Sequence, residues 1–213
     1  MSTLTLFTSG STDEPKKVTH TWEYLQQCAS RSVAEIGLTK QDIVLDVFPA
    51  NTIAHFTITA FPAYLSGAQH VCSVFNALTY PTLFNSVKPT YIALIPRHLE
   101  LLQKTKGFDK LDMSSVRYMV TGSNKIEQSF IDAFKERGVQ TVANWYGMTE
   151  VPPPVMIGYN TPNFTKINDN VSFSKEGECI IDGHPTGDIF DVDTMTFSHR
   201  LKTATGSTWK NEF

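Results

Sequence analysis

Cysteine is scarce in this 213-residue sequence, and its three copies, Cys28, Cys72 and Cys179, stand far apart. No CxxC pair exists and the number is odd, which excludes a disulfide framework and a cysteine-rich zinc module. The three thiols read as reduced, as in a cytoplasmic protein. Long apolar runs are missing too. Nothing approaches the roughly 20 residues needed to span a bilayer, and Met1 to Phe7 lacks the basic region and apolar run of a signal peptide. A basic excess is absent: 18 Lys and Arg face 21 Asp and Glu, a net charge of −3. A generic nucleic-acid binder normally carries the opposite balance. There are no repeats and no low-complexity tracts. Neither HExxH nor GxSxG occurs, and His20, His70, His98 and His184 show no spacing that suggests a metal site or a triad.

What is present is enough apolar material for a core. Hydrophobic residues make up 41% and aromatic residues 11%, too many for a disordered acidic chain. The length suits one domain, or one plus a small appendage. A domain of this size hides about 70% of its unfolded surface. Composition therefore implies a soluble, intracellular globular protein, and leaves its chemistry to the order of its motifs.

Strand and helix patterns alternate through the first 150 residues. Residues 4–7 read as a strand, followed by a hydroxyl-rich loop over 8–17. Residues 21–36 place Leu25, Cys28, Ala29, Ser32, Val33 and Ile36 at helical spacing, with Thr21 as N-cap and Gly37 as the stop. Strands are predicted at 43–48, 69–74, 91–95, 117–121 and 140–144. Helical segments are predicted at 51–65, interrupted near Pro62, and at 79–86, 97–104 and 127–137. That alternation is the signature of an α/β fold with a mainly parallel sheet flanked by helices. After Glu150 the character changes. Val151-Pro152-Pro153-Pro154 blocks a helix, and short β-like runs follow at 171–174, 178–181, 189–192 and 195–198. Residues 1–150 are thus expected to form the α/β core and 151–213 a small β-rich appendage.

The loop Thr8-Ser9-Gly10-Ser11-Thr12-Asp13-Glu14-Pro15-Lys16 has the chemistry for holding phosphates. Hydroxyls and main-chain N–H groups donate, Gly10 allows close approach, and Lys16 brings positive charge. It is not a Walker loop, because Pro15 stands where the second glycine belongs. By composition alone it reads first as a serine-rich surface turn. Its spelling after an apolar strand, however, resembles the phosphate-binding signature of the adenylate-forming superfamily. That group of acyl- and aryl-CoA ligases, peptide-synthetase adenylation domains and luciferase activates carboxylic acids with ATP. Asp13 departs from the pattern, standing where the family usually has glycine.

Further matches follow in the family's order. Tyr146-Gly147-Met148-Thr149-Glu150 resembles its Tyr-Gly-x-Thr-Glu signature. The resemblance implies that Tyr146 flanks adenine, Thr149 meets the α-phosphate and Glu150 holds Mg²⁺. A carboxylate suits that ion. Gly122-Ser123-Asn124 resembles the turn lining the adenine pocket, with Ser123 and Asn124 departing from the usual small apolar residue and proline. Thr186-Gly187-Asp188 resembles the ribose-binding signature. Arg200, within Ser198-His199-Arg200-Leu201-Lys202, resembles the hinge arginine. The segment from Pro49 to His55 resembles the border of the acid pocket, to which Phe56, Phe61 and Met148 offer apolar walls.

By this resemblance Lys16, Thr149 and Glu150 carry catalysis. Thr8, Ser9, Gly10, Ser11, Thr12, Lys16, Gly122, Ser123, Asn124, Tyr146, Gly147, Thr149, Asp188 and Arg200 bind ATP or AMP. His55 and Met148 border a small acyl or aryl acid. The expected cofactors are ATP or AMP with Mg²⁺, and the expected activity is formation of an acyl-adenylate. A nucleotide-binding module acting with a partner is the alternative. The resemblance covers only the middle of a full-length relative. Lys202 and Lys210 do not match the family's C-terminal lysine motif, so thioester formation is not expected, and a homodimer or partner chain is expected over exposed core surface. No nucleic acid and no membrane are expected as partners.

Overall fold

The computed structural model describes residues 2–8 and 16–201. In β3 (Ile43–Asp46), β5 (Tyr91–Ala93), β6 (Tyr118–Gly122) and β7 (Val142–Tyr146), side chains of neighbouring residues point to opposite faces. Both faces are covered, so both sets are apolar. Val44, Tyr91, Ala93, Tyr118, Val120, Ala143 and Trp145 pack on one side. Leu45, Ile92, Met119 and Val142 pack on the other. These strands are parallel neighbours, with β4 (Gln69–Cys72) at the edge beside β3. Two antiparallel strands, β8 (Met156–Tyr159) and β9 (Lys166–Ile167), extend the same sheet to seven, in the order β4-β3-β5-β6-β7-β8-β9. Composition changes at Glu150, but the sheet continues past it.

Helices cover the two faces. α1 (Trp22–Ile36) lies over the first face, and its ends follow local chemistry: Thr21 accepts a hydrogen bond from the Tyr24 N–H, and Gly37 closes the helix at φ +64°. The second face is covered by α3 (Tyr80–Val87), α4 (Pro96–Leu102) and α5 (Gln128–Lys135), which contribute Phe84, Leu102 and Phe134 to its core. Beyond β9, strands β10 (Val171–Phe173), β11 (Glu178–Ile181), β12 (His184–Asp191) and β13 (Thr196–Arg200) form a separate antiparallel sheet. A third cluster, including Tyr146, Met156, Phe164 and Phe190, joins it to the large sheet. The architecture is α/β, mainly parallel, with a β-rich C-terminal part.

Two local expectations are corrected. The loop read over residues 8–17 is shorter. β1 (Thr3–Thr8) pairs antiparallel with a strand β2 (Lys16–Thr21), in which Val18 and His20 alternate inward. The helix read at 51–65 is a π-helix over His55–Ala60 running into α2 (Phe61–Ser66). Pro62 explains the change. It has no N–H, and in an α-helix its ring crowds the carbonyl four residues back. Here that carbonyl, of Ile58, accepts from the Tyr91 hydroxyl at 2.9 Å. The adjoining Thr57 carbonyl accepts from the Ser32 hydroxyl at 2.7 Å. Two side chains thus satisfy backbone groups released by the wider turn. Among the described residues no helix is long and apolar enough to cross a membrane.

Candidate functional site

In parallel sheets, ligands bind beyond the carboxyl ends of the strands, where loops converge. β7 ends at Tyr146, and the chain turns at once: the Met148 N–H donates to the Val151 carbonyl at 2.9 Å, and the Val155 N–H to the Tyr146 carbonyl at 2.8 Å. Gly147 is needed in this turn, because a Cβ there would lie 2.6 Å from the Pro153 nitrogen. The turn presents Thr149 and Glu150 to the β1–β2 hairpin. The Lys16 ammonium donates to Glu150 Oε1 at 3.1 Å, across 134 positions of sequence. Next to it, His20 Nε2 donates to the Thr149 carbonyl at 2.6 Å. Burial lowers the His20 pKa, against the opposing pull of that carbonyl and of Glu150. The ring is therefore a neutral donor that fixes the backbone of Thr149.

A second group adjoins the first. Asp188 is 2% exposed. It receives Arg200 Nε on Oδ1 at 2.6 Å, Arg200 Nη2 on Oδ2 at 2.8 Å, and the Tyr146 hydroxyl on Oδ2 at 2.8 Å. Burial, then the Asp188 charge, pushes the Tyr146 phenol far above its ordinary range, so it stays a donor. Asp188 is the main cause of a raised pKa at Arg200, and Glu150 adds to it. The Thr186 hydroxyl shapes the turn by accepting the Asp188 N–H at 3.1 Å and donating to the Cys179 carbonyl at 2.9 Å.

One strand over, β6 ends at Gly122, which pairs with Trp145. A Cβ on Gly122 would come within 2.3 Å of the Trp145 carbonyl oxygen. Ser123 follows at φ +69°, a left-handed conformation costly for a residue with a Cβ. Asn124 turns its amide oxygen to the Lys125 N–H at 2.9 Å.

Several sequence candidates thus come together: Lys16, Thr149 and Glu150 in one group, Tyr146, Asp188 and Arg200 in the next, with Gly147 between and Gly122, Ser123 and Asn124 on the adjacent strand end. Met148 packs on the core shared with the small sheet. Thr8 ends β1, opposite Lys16. Ser9, Gly10, Ser11, Thr12 and Asp13 lie outside the described residues, bracketed by the two strands of the hairpin.

His55 belongs to another group. At the end of β3, Asp46 is fully buried. His55 Nδ1 lies 2.7 Å from Asp46 Oδ2, and His70 Nε2 donates to the same oxygen at 3.0 Å. Asp46 Oδ1 accepts the Phe48 N–H at 3.0 Å. Cys72 stands beside Asp46 in the register of β3 and β4. His20, Asp46, His70 and Cys72 were not among the sequence candidates. Their partners are distant in the chain, and the only local trace is the inward alternation of Val18 and His20.

Comparison with known proteins bears on this arrangement. A family model described as AMP-binding enzyme matches residues 3–180. The long-chain-fatty-acid–CoA ligase FadD13 of Mycobacterium tuberculosis is 26% identical over 145 residues, covering 68% of this chain and 29% of that protein. The 2-succinylbenzoate–CoA ligase of Listeria innocua is 26% identical over 192 residues, covering 84% of this chain and 39% of the relative. Among solved structures, the inhibitor-bound N-terminal domain of FACL13 from Mycobacterium tuberculosis superposes with a TM-score of 0.75 at 19% identity, over 92% of this chain and 60% of that one. The chain spans about a third of the length of these curated relatives.

Proposed function

The chain belongs to the family of AMP-binding enzymes, and on that premise we propose that it carries the nucleotide site for ATP-dependent activation of a carboxylic acid. The observation that carries this reading is the meeting of Lys16 and Glu150 at 3.1 Å. It brings the hairpin that brackets residues 9–15 against the turn after β7, beside the Tyr146–Asp188–Arg200 group. In the proposed reaction a carboxylate oxygen of the acid attacks the α-phosphorus of ATP. The bond from that phosphorus to the bridging oxygen breaks, and pyrophosphate leaves with the electron pair, giving an acyl-adenylate. The work is positioning and charge stabilisation.

In this reading Thr8, Ser9, Gly10, Ser11, Thr12 and Lys16 cradle the phosphates. Thr149 faces the α-phosphate, with its backbone held by His20. Gly122, Ser123, Asn124, Tyr146 and Gly147 border the adenine, and Asp188 with Arg200 takes the ribose. His55 and Met148 border an acyl or aryl acid. The donor set fits Mg²⁺: Glu150 is a carboxylate, only 10% exposed at its side chain, and already holds a cation. Bound Mg²⁺ neutralises phosphate charge, and Glu150 is the residue that would hold it. The exposed Tyr64, Val74 and Leu78 are where a partner chain or second copy packs.

A second reading, a nucleotide-binding module without turnover, is favoured by one observation. Lys16 and Asp188 already have protein partners that a nucleotide must displace or share. Pyrophosphate exchange with a panel of fatty and aryl acids separates the two. Acid-dependent exchange supports adenylation, and calorimetric binding of ATP without exchange supports the module. Glu150→Gln is expected to weaken ATP with Mg²⁺ by about tenfold or more, and AMP much less. Equal losses for the two ligands would remove the Mg²⁺ assignment.

A further inference from the structure

We propose that Asp46, His55, His70 and Cys72 form a site for a divalent transition metal of the zinc type, separate from the nucleotide site. The fold assembles it from three elements. β3 ends at Asp46. Its parallel neighbour β4 carries His70 and Cys72 two residues apart, hence on one face, with Cys72 in register with Asp46. The first residue of the π-helix, His55, caps the group. π-turns of this kind recur at functional sites.

Ligand atoms of Asp46, His55 and Cys72 all lie within 4.8 Å of one another. His70 Nε2 is 3.0 Å from Asp46 Oδ2. Around a tetrahedral zinc ion, with bonds of about 2.0–2.3 Å, neighbouring ligand atoms sit roughly 3.4 Å apart. Asp46, His55 and Cys72 therefore need only side-chain adjustment to enclose an ion, and His70, held on the same Asp46 oxygen, is the adjoining fourth donor.

Two features point to an ion rather than a finished hydrogen-bond network. His55 Nδ1 is buried and makes no aligned hydrogen bond, although a carboxylate oxygen lies only 2.7 Å away. That geometry leaves a ring nitrogen directed at the group without a satisfied partner. Asp46 is fully buried, and its described partners are two imidazoles, the Phe48 N–H and the Thr59 hydroxyl, with no Lys or Arg among them. The Phe48 N–H on Oδ1 orients the carboxylate and leaves Oδ2 for the cluster, the outer support usual for metal-ligating carboxylates.

The donor types choose the ion. Two imidazoles, one carboxylate and one thiol suit zinc, cobalt or related dications. Magnesium and calcium take all-oxygen sets. The site is thus chemically distinct from Glu150, and it rests on its own geometry whether or not the nucleotide reading holds. A bound ion would tie the π-helix to the edge of the sheet.

The test is titration of the chelator-treated chain with Co²⁺ alone, without ATP or Mg²⁺. One equivalent is expected to produce a thiolate-to-cobalt charge-transfer band in the near ultraviolet and the visible bands of a four-coordinate ion, both abolished by Zn²⁺. Cys28 and Cys179 are buried and Cys72 is exposed, so the charge-transfer band reports on Cys72. Cys72→Ser should remove it, and His70→Gln should weaken Co²⁺ by roughly tenfold or more. Blocking Cys72 with a methylthiol reagent on the folded wild-type chain gives the same reading should the serine variant fail to fold. Absence of the band in the wild type with excess Co²⁺, or its persistence after loss of Cys72, overturns the proposal.

Discussion

Two arginine–aspartate pairs of the same bidentate form hold different parts of this molecule. Arg117 reaches Asp42 with Nε and Nη2, each at 2.7 Å. Its remaining donors go to the carbonyls of Ile36 and Gly37, at 2.7 and 3.0 Å. Asp42 takes three further bonds, from the Thr90 hydroxyl and from the N–H and hydroxyl of Thr39. The pair thereby locks the end of α1 to the starts of β3 and β6. Arg200 grips Asp188 in the same way but, among the described residues, directs its side-chain donors to that carboxylate alone, and its side chain is 51% exposed. One pair is a closed knot. The other has an open side, and it stands where a ribose is proposed to bind.

The largest expected effect tests the closed pair. Arg117→Met leaves Asp42 and two helix-end carbonyls without their partner, and should cost about 3–5 kcal/mol of stability. Urea denaturation measures this. Nucleotide affinity of the folded fraction should not change, and a loss below about 1 kcal/mol would erase the distinction between the pairs.

Arg200→Met should be milder, about 1–2 kcal/mol, because the Tyr146 hydroxyl still donates to Asp188 and water reaches the exposed side. Its main effect is expected on AMP binding, with a loss of about tenfold or more by calorimetry. Unchanged AMP affinity would mean that the open side serves no ligand.

Acid separates a carboxylate held by an arginine from an imidazole kept neutral by burial. His98 stacks on Phe75 with ring centroids 4.0 Å apart, and burial lowers its pKa from 6.5 to about 4. The folded state holds this ring neutral. Its contribution is therefore complete above pH 6.5 and is lost as pH falls toward 4, of order 1–2 kcal/mol after discounting for partial exposure. Burial alone would raise the Asp42 pKa, but Arg117, Thr90 and Thr39 outweigh it and bring it down to about 2. Its share is lost only below the ordinary carboxylate range, between pH 3.8 and about 2. Stability measured against pH should thus fall in two steps. His98→Gln should shrink the upper step, to which His20 also contributes, and leave the lower one.

The smallest effect is at Lys16. It is 40% exposed, so Lys16→Met should change stability by less than about 1 kcal/mol while weakening ATP. A larger destabilisation would make the Lys16–Glu150 contact a fastening like Arg117–Asp42.

Local chemistry made much of this fold legible. α1 announced both ends through Thr21 and Gly37, and the β-branched and aromatic runs of β3, β5, β6 and β7 stood out as buried strands. β2 was harder to see, because Lys16, Lys17 and two threonines, Thr19 and Thr21, resemble a loop until β1 pairs with them. β8 and β9 are short, and become strands only by antiparallel pairing, β8 with β7 and β9 with β8. The π-helix depends on Tyr91 and Ser32, remote in sequence. At the candidate site the spellings were readable in order along the chain, but contacts such as Lys16 with Glu150, or His20 with Thr149, follow from tertiary structure. Asp46, His70 and Cys72 escaped notice, and the grouping of His55 with them was hidden, for the same reason: parallel neighbours in a sheet are separated by a whole crossover.

The π-helix carries one last consequence. A segment with a widened turn holds a surplus residue relative to the α-helix it joins. Deleting one residue between His55 and Ala60 would let the segment revert to α geometry, but everything upstream would swing by about 100° around the helix axis. His55 would leave Asp46, and the Ile58 carbonyl would lose Tyr91. This stretch tolerates no single-residue deletion, although a helix of the same composition elsewhere on the surface could absorb one by fraying.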